Sequence, residues 1–255
     1  MSLSWSRHPF LKKAMKKEDF LNLYKGGQRD FPGVDLSGMN LGNENLSNIN
    51  LSGAILRKTD LCATNLENAN LQNSDLREVE LSADCHGHGI NFSGANFEGN
   101  GMYEGIIEKA NFSQCNFINS SFGQFLATEC NFSKADFTNS WLSETDFSGG
   151  NFNDAVFGKT YIDITFFDAD ITGADFSHAF FHSSPRHLLE TRGINNANFT
   201  NAIFFVPRPK SLDDLDTSTI HGAICVHLKS DLDKLILSDY NDFAVERMMN
   251  DFATM

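Results

Sequence analysis

An apolar residue recurs at every fifth position between residues 31 and 204. A small side chain stands two positions before most of these residues, and Asn or Asp usually stands between the two. The phase slips by one residue in the stretch 84–89 and again near residues 161–167. We call the apolar positions the centres. They are Phe31, Leu36, Leu41, Leu46, Leu51, Leu56, Leu61, Leu66, Leu71, Leu76 and Leu81; then Phe92, Phe97, Met102, Ile107, Phe112, Phe117, Phe122, the skipped Ala127, Phe132, Phe137, Leu142, Phe147, Phe152, Phe157, Ile162 and Phe167; and, after the second slip, Phe166, Ile171, Phe176, Phe181, Ile194, Phe199 and Phe204.

A period of five fits neither a straight helix nor a flat strand. Five residues turn the apolar set by about 140° around a helix, and in a strand they reverse its face. The pattern works if the chain turns a corner in every pentad, so that the centre and the residue two before it both point inward. The Asn or Asp between them then faces outward, where its side chain can bond the turn backbone. Cys115 and Cys130 occupy such inward slots as small, inert side chains.

Four corners of roughly 90° close a coil of about 20 residues, and successive coils stack about 4.8 Å apart. This sequence resembles the pentapeptide-repeat family, whose consensus is A-(D/N)-L/F-x-x. The resemblance covers residues 31–204 and is carried by ANLQNSDLREVEL, INFSGANFEGN, KADFTNSWLSETDFSGGNF and NANFTNAIF. It implies an all-β solenoid in the form of a right-handed quadrilateral β-helix.

Helical caps are predicted at both ends of this solenoid. Residues 1–30 form the N-terminal cap, with an amphipathic helix over residues 8–25 that covers the first coil and stops at Gly26 and Gly27. Residues 205–255, which begin with two prolines in the first five positions, should hold two short helices. These helices serve either as a C-terminal cap or as a homodimerisation segment.

Two stretches inside the repeats break the pattern. Residues 84–89 replace one pentad and are predicted to bulge outward, and residues 182–193 are predicted to form a protruding loop. Cys85, His86 and His88 lie too close in sequence to ligate one ion well, and no second cluster completes a tetrahedral site.

Other candidates for chemistry are equally weak. Cys225 lies between two His residues but has no flanking nucleophile motif. The sequence contains no Gly-rich phosphate loop, G-x-S-x-G elbow or H-E-x-x-H motif. We therefore expect a protein that is not an enzyme and that uses no cofactor or metal.

The charge balance restricts the partners. The net charge of −13 disfavours direct binding to nucleic acid or to acidic membranes. The chain has no apolar run long enough for a membrane span and no secretory signal, so the expected location is the cytoplasm. Five irregularly spaced cysteines fit a reducing compartment.

Assigning the pentads to four faces places the acids on two neighbouring faces, and we call these acids the acidic stripe. Nearly every coil contributes a member, and Lys109 is the single base close to the first face. The first face carries Glu44, Glu67, Asp84, Glu108, Glu129, Asp146 and Asp168, and the second carries Asp60, Glu80, Glu104, Glu144 and Asp163.

Three hypotheses describe the role of this solenoid and its acidic stripe. The stripe can simply keep an open rod soluble. It can also bind a partner protein with a basic surface by imitating DNA; similarity to the Qnr-type quinolone-resistance members of the family implies DNA gyrase or topoisomerase IV as that partner. The alternative is a secreted bacterial effector that docks a host protein through its loops and caps.

Overall fold

The computed structural model describes residues 15–81, 86–182, 188, 191–205 and 223–226, and it confirms the predicted β-solenoid. Parallel backbone bridges join residues one coil apart, as in Asn91 to Asn111 and Asn111 to Asn131. Four pentads therefore close each regular coil, and every coil stacks directly on the one before it.

Short strands and one helix accompany the bridges in the described residues. No described helix has both the length and the apolar character needed to cross a membrane. The elements are α1 (Lys17–Lys25), β1 (His86–His88), β2 (Gly101–Tyr103), β3 (Ile106–Glu108), β4 (Ser121–Gly123), β5 (Trp141–Asp146), β6 (Tyr161–Thr165), β7 (Phe180–Phe181), a 3-10 helix (Ile194–Asn196), β8 (Ile203–Phe205) and β9 (Ile224–Val226). Strands β2, β4, β5, β6, β7, β8 and β9 form one parallel sheet in that order, and β1 pairs with β3.

The corners have the chemistry that the repeat predicts. The backbone N–H of Ala95 donates to the carbonyl of the centre Phe92 over 2.8 Å and closes a β-turn. The third residue of this turn, Gly94, has a φ of 70°. The side chain of Asn91 faces outward, and its Oδ1 accepts the N–H of Ser93 at 3.1 Å. The predicted role of Asn and Asp beside the turn is therefore confirmed.

Outward asparagines also bond to one another from coil to coil. On one face, each side-chain amide donates to the side-chain oxygen of the equivalent residue in the preceding coil. This Asn ladder runs from Asn131 to Asn111 (3.2 Å), to Asn91 (3.2 Å), to Asn70 (3.3 Å), to Asn50 (3.2 Å) and to the carboxylate of Asp30 (3.0 Å).

The centres fill the interior of the solenoid. Phe132 is fully buried, and its ring stacks on those of Phe112 and Phe152 with centroids 4.9 and 5.0 Å apart. Two centres were assigned wrongly. Phe166 is buried whereas Phe167 is 56% exposed, because the second slip falls before Phe166. Ile194 lies half-buried in the 3-10 helix rather than at a corner.

Where a centre is small, a neighbouring inward slot holds a large side chain. The centre Ala127 is preceded by the buried Phe125 instead of a small residue, and a Cβ on Gly105 would lie only 2.6 Å from the Phe125 ring. Gly87 pairs with the centre Ile107 and contributes no side chain to the interior. The buried Ile90 fills that space, since a Cβ on Gly87 would meet it at 2.0 Å.

The first interruption of the repeat differs from expectation, and most of the second lies outside the described residues. Residues 82–85 lie outside the described residues, but His86–His88 form a strand in register with Ile106–Glu108 rather than an outward bulge. Gly87 allows this, because Ile90 takes the space of its missing side chain. In the predicted loop 182–193, most residues lie outside the described part, and Leu188 is buried against the core.

The parallel sheet also continues past the predicted limit of the repeats at residue 204. Strand Ile224–Val226 pairs in register with Ile203–Phe205, so part of the segment assigned to the C-terminal cap belongs to the sheet. The two short helices predicted for this C-terminal segment lie outside the described residues.

The N-terminal helix is shorter than predicted. Residues 8–14 lie outside the described part, and α1 begins at Lys17 and ends before Gly26. Phe20 packs edge-on against Phe31, the first centre, with ring centroids 4.9 Å apart. The Tyr24 hydroxyl donates to the carbonyl of Ser47 at 2.8 Å. The helix thus packs on the first coil.

Candidate protein-binding surface

The coil-to-coil register decides which pentads share a face. The chain visits four faces in turn, so pentads one coil apart lie above one another. We call two neighbouring faces the Glu67 face and the Glu104 face. The Glu67 face holds the pentads centred on Leu46, Leu66, Gly87, Ile107, Ala127, Phe147 and Phe166, and the Glu104 face those centred on Leu41, Leu61, Leu81, Met102, Phe122, Leu142 and Ile162.

The acids of the stripe on these faces differ in exposure. Asp84 lies outside the described residues. Glu44, Asp60, Asp146 and Asp163 are half-buried. The exposed members are Glu67, Glu80, Glu104, Glu108, Glu129, Glu144 and Asp168.

Two of the half-buried acids accept hydrogen bonds from the backbone of the corners. Asp60 accepts hydrogen bonds from the N–H of Cys62 at 2.9 Å and from the side-chain amide of Asn40 at 2.8 Å. Asp146 accepts the N–H of Ser148 at 2.9 Å. These carboxylates occupy the place that Asn takes elsewhere in the repeat, so their first role is structural.

Four acids of the stripe have basic partners. Sequence reasoning did not identify three of these partners. Long-range packing brings these partners close, and only Lys109 stood near its acid in the predicted register. The pairs are Glu44 with Lys17 of α1 (3.0 Å), Glu129 with Lys109 (3.7 Å), Asp163 with His182 (3.4 Å) and Asp168 with Arg192 (3.7 Å).

Five exposed glutamates form no salt bridge with any described residue. Glu108 accepts a hydrogen bond from the Thr128 hydroxyl at 3.4 Å, and Glu144 accepts one from the Gln124 side chain at 2.8 Å. Within the described part of the chain no neighbouring base neutralises their charge, which is therefore open to a partner. These five are Glu67, Glu80, Glu104, Glu108 and Glu144.

A groove of about 340 Å³ lies on the Glu67 face. Glu67, His88 and Glu108 line it from three successive coils, each from the position after its centre. The other lining residues are Ala63, Thr64, Asn65, Gly87 and Ile106. A second groove, of about 210 Å³, lies on the Glu104 face and is lined by Tyr103, Glu104, Phe122, Gly123, Gln124, Ser143 and Glu144.

Aromatic side chains alter the later coils of the Glu104 face. Trp141, Tyr161 and Phe180 occupy the position before the centre, which normally faces outward, yet all three are buried. The rings of Trp141 and Tyr161 stack with centroids 3.6 Å apart. Sequence reasoning missed this column, although an aromatic residue in place of the usual Asn or Asp was a signal for it.

One group of side chains has the spacing of metal ligands. Asp60, Cys62 and Glu80 each place one donor atom within 4.8 Å of the others. Both oxygens of Asp60 already accept hydrogen bonds, which accounts for its position without an ion. Asp60 is thus part of the corner.

The two buried thiols are poor nucleophiles. Burial raises the pKa of Cys115 and of Cys130 to about 12, so both thiols stay protonated at neutral pH. Their S–H groups donate to carbonyl oxygens of the preceding coil, at 3.0 Å to Phe92 and 3.2 Å to Ile107. Both side chains therefore act as small core residues.

Comparison with known proteins agrees with the coil geometry. A sequence model described as pentapeptide repeats matches the chain in eight copies, over residues 30–68, 45–82, 110–149 and 130–162. The matched stretches consist of the repeats that define the pentapeptide-repeat family. No curated protein sequence matches this pentapeptide-repeat protein.

Solved structures similar to this pentapeptide-repeat protein are distant from it. HetL, described as a pentapeptide repeat protein involved in heterocyst differentiation regulation from the cyanobacterium Nostoc sp. strain PCC 7120, is 18% identical, with 74% of this chain and 97% of HetL covered and a TM-score of 0.31. A trypsin-treated form of QnrB1, described as a plasmid-mediated fluoroquinolone resistance protein, is 16% identical, with 80% and 93% covered and a TM-score of 0.36.

Proposed function

We propose that this pentapeptide-repeat protein is a non-enzymatic scaffold whose Glu67 and Glu104 faces bind a basic surface of a partner protein. The observation that carries the proposal is the set of five exposed glutamates on these two neighbouring faces that form no salt bridge with the residues that the structure describes. The stacked coils hold these carboxylates at fixed spacing. A partner with matching Lys and Arg residues would therefore be attracted and oriented.

The density of this charge limits what the surface can imitate. The five glutamates lie over five coils, which gives one free charge in about 5 Å of solenoid. DNA carries about one charge in 1.7 Å. The surface is strongly acidic, but its free charge is about one third as dense as that of DNA.

A finer form of the proposal is DNA mimicry toward a type II topoisomerase, either DNA gyrase or topoisomerase IV. Support for it comes from the linear arrangement of acids along a rigid rod, which suits a basic DNA-binding channel. The effector alternative depends on the loops and the C-terminal segment, which lie mostly outside the described residues.

Charge reversal tests both forms. The variant Glu67→Lys, Glu104→Lys, Glu108→Lys should lose at least about tenfold in affinity for gyrase and should no longer inhibit DNA supercoiling. A control variant with the same change in net charge, Glu18→Lys, Glu78→Lys, Asp154→Lys, alters exposed acids that do not belong to the acidic stripe and should retain binding. Circular dichroism checks that both variants are folded.

One outcome tests the binding surface, and the other tests the DNA-mimicry form of the proposal. Unchanged gyrase binding by the first variant would exclude the two acidic faces as the binding surface. Failure of the wild-type protein to bind either topoisomerase would remove the DNA-mimicry form.

A further inference from the structure

Two neighbouring coils of the Glu67 face expose an aliphatic side chain beside the groove. Ile106 is 39% exposed and Leu126 is 41% exposed. They are joined by a parallel bridge, so their side chains lie above one another. Both occupy the position before the centre, where Asn or Asp usually bonds the turn. These two coils thus lack that hydrogen bond and present an apolar pair to solvent.

The apolar pair is continuous with the acidic groove. Ile106 itself lines the groove, together with Glu67, His88 and Glu108. Glu67 and Glu108 lie two coils apart, which places their backbones about 10 Å from each other. The coil between them places His88 in the same column, so the groove suits one long cationic side chain that lies over His88 with a carboxylate on either side. Ile106 and Leu126 lie beside it along the solenoid axis.

We propose that this surface binds a short basic segment of a partner protein in which a Lys or Arg adjoins an aliphatic or aromatic residue. The cation lies over His88 between the carboxylates of Glu67 and Glu108, and the apolar side chain covers Ile106 and Leu126. The inference rests on the proposed function and specifies the partner of the same faces. A surface that only imitated the sugar-phosphate backbone of DNA would have no use for an apolar pair at this place.

The face opposite the Glu67 face provides an internal comparison. Ile55 there is 40% exposed and also precedes a centre, but its neighbours in the preceding and following coils are Asp35 and Asp75. It is an isolated apolar side chain, which is ordinary on a protein surface. Ile55 is therefore the matched control for Ile106 and Leu126.

Fluorescence anisotropy with two labelled synthetic peptides tests the inference. Both peptides carry the same number of lysines, and they differ only in having Leu or Ser between them. The wild-type protein should bind the Leu peptide about tenfold more tightly than the Ser peptide. The double variant Ile106→Asn, Leu126→Asn introduces the residue typical of this position, so it should keep the fold and lose the preference for Leu.

Two further variants complete the experiment. Ile55→Asn should keep the wild-type preference, and Glu67→Gln, Glu108→Gln should weaken the binding of both peptides. The single variant Leu126→Asn replaces the double one if the latter does not fold.

Equal affinity of the wild-type protein for the two peptides would overturn the inference and leave an acidic scaffold as proposed. A preference for Leu that survives in the Asn variants would also overturn it, because the apolar contact would lie elsewhere. Failure to bind either peptide would overturn this inference, whereas the gyrase experiment decides the proposed function.

Discussion

At the scale of single residues, neighbouring inward side chains fill the interior of the solenoid together. The size of a side chain at one position can vary if a neighbouring position compensates for it. Protein interiors are close-packed, so a small centre leaves a void unless another side chain enters it. Phe125 enters the space left by the centre Ala127, and Gly105 leaves room for its ring one coil earlier. The consensus pair of a small residue and a large centre is thus reversed in this pentad.

Restoring the usual order of sizes tests this exchange. Phe125→Ala should lower the free energy of unfolding by about 3 kcal/mol, because it leaves a cavity among buried side chains. The double variant Phe125→Ala, Ala127→Phe places the large ring at the centre and should recover most of that loss, as measured by urea denaturation. Ala127→Phe alone should be destabilised by about 1–3 kcal/mol through overpacking. A double variant no more stable than Phe125→Ala would show that the two positions do not share one space.

At the scale of elements, helix α1 stabilises the first coil chiefly through its apolar side. Phe20 is fully buried against Phe31, and Tyr24 bonds the backbone of the coil. The ion pair of Lys17 and Glu44 is partly exposed, so solvent screens it.

Two substitutions in α1 separate these contributions. Phe20→Ala should cost about 3 kcal/mol of unfolding free energy, since it removes a buried ring. Lys17→Met should cost less than about 1 kcal/mol. Thermal and urea unfolding measure both. A larger effect of Lys17→Met than of Phe20→Ala would mean that charge rather than burial attaches the helix.

The solenoid was predictable because its rule is local. Each pentad shows its centre and its outward Asn or Asp without reference to any other coil. What sequence reasoning missed depends on the coil above or below. The strand at Gly87 needs Ile90 to fill its space, the buried stack of Trp141 and Tyr161 forms only between coils, and strand Ile224–Val226 joins the sheet after a long connection.

The candidate surface was predictable to a similar degree. Counting pentads along the sequence is enough to place Glu67, Glu104 and Glu108 on two neighbouring faces. It did not reveal the base that pairs with Glu44, because Lys17 lies on a helix outside the repeats. Counting pentads also did not single out Ile106 and Leu126, because they form an apolar pair only through the bridge between their coils.

At the scale of the whole molecule, each coil contacts mainly its two neighbours, so stability passes along the rod through successive interfaces. The Phe columns are the most regular of these interfaces. Phe132 contributes to two of them at once, with Phe112 on one side and Phe152 on the other.

A charge in this column should therefore disrupt the rod from its middle. Phe132→Asp buries an unpaired carboxylate and removes two ring stacks, and we expect loss of the cooperative unfolding transition in circular dichroism. The control Lys134→Asp changes an exposed residue of the same pentad and should stay close to wild type. Wild-type stability of Phe132→Asp would contradict the inward register of the centres.

The Asn ladder gives one face of the solenoid a net dipole along its axis. Every side-chain amide from Asn131 to Asn50 points its N–H toward the beginning of the chain, so the amide dipoles add instead of cancelling. Their positive end meets the carboxylate of Asp30, much as an anion sits at the positive end of a helix dipole. One face of this solenoid thus carries a row of aligned side-chain dipoles, and the row ends at the negative charge of Asp30, which follows α1 in the chain.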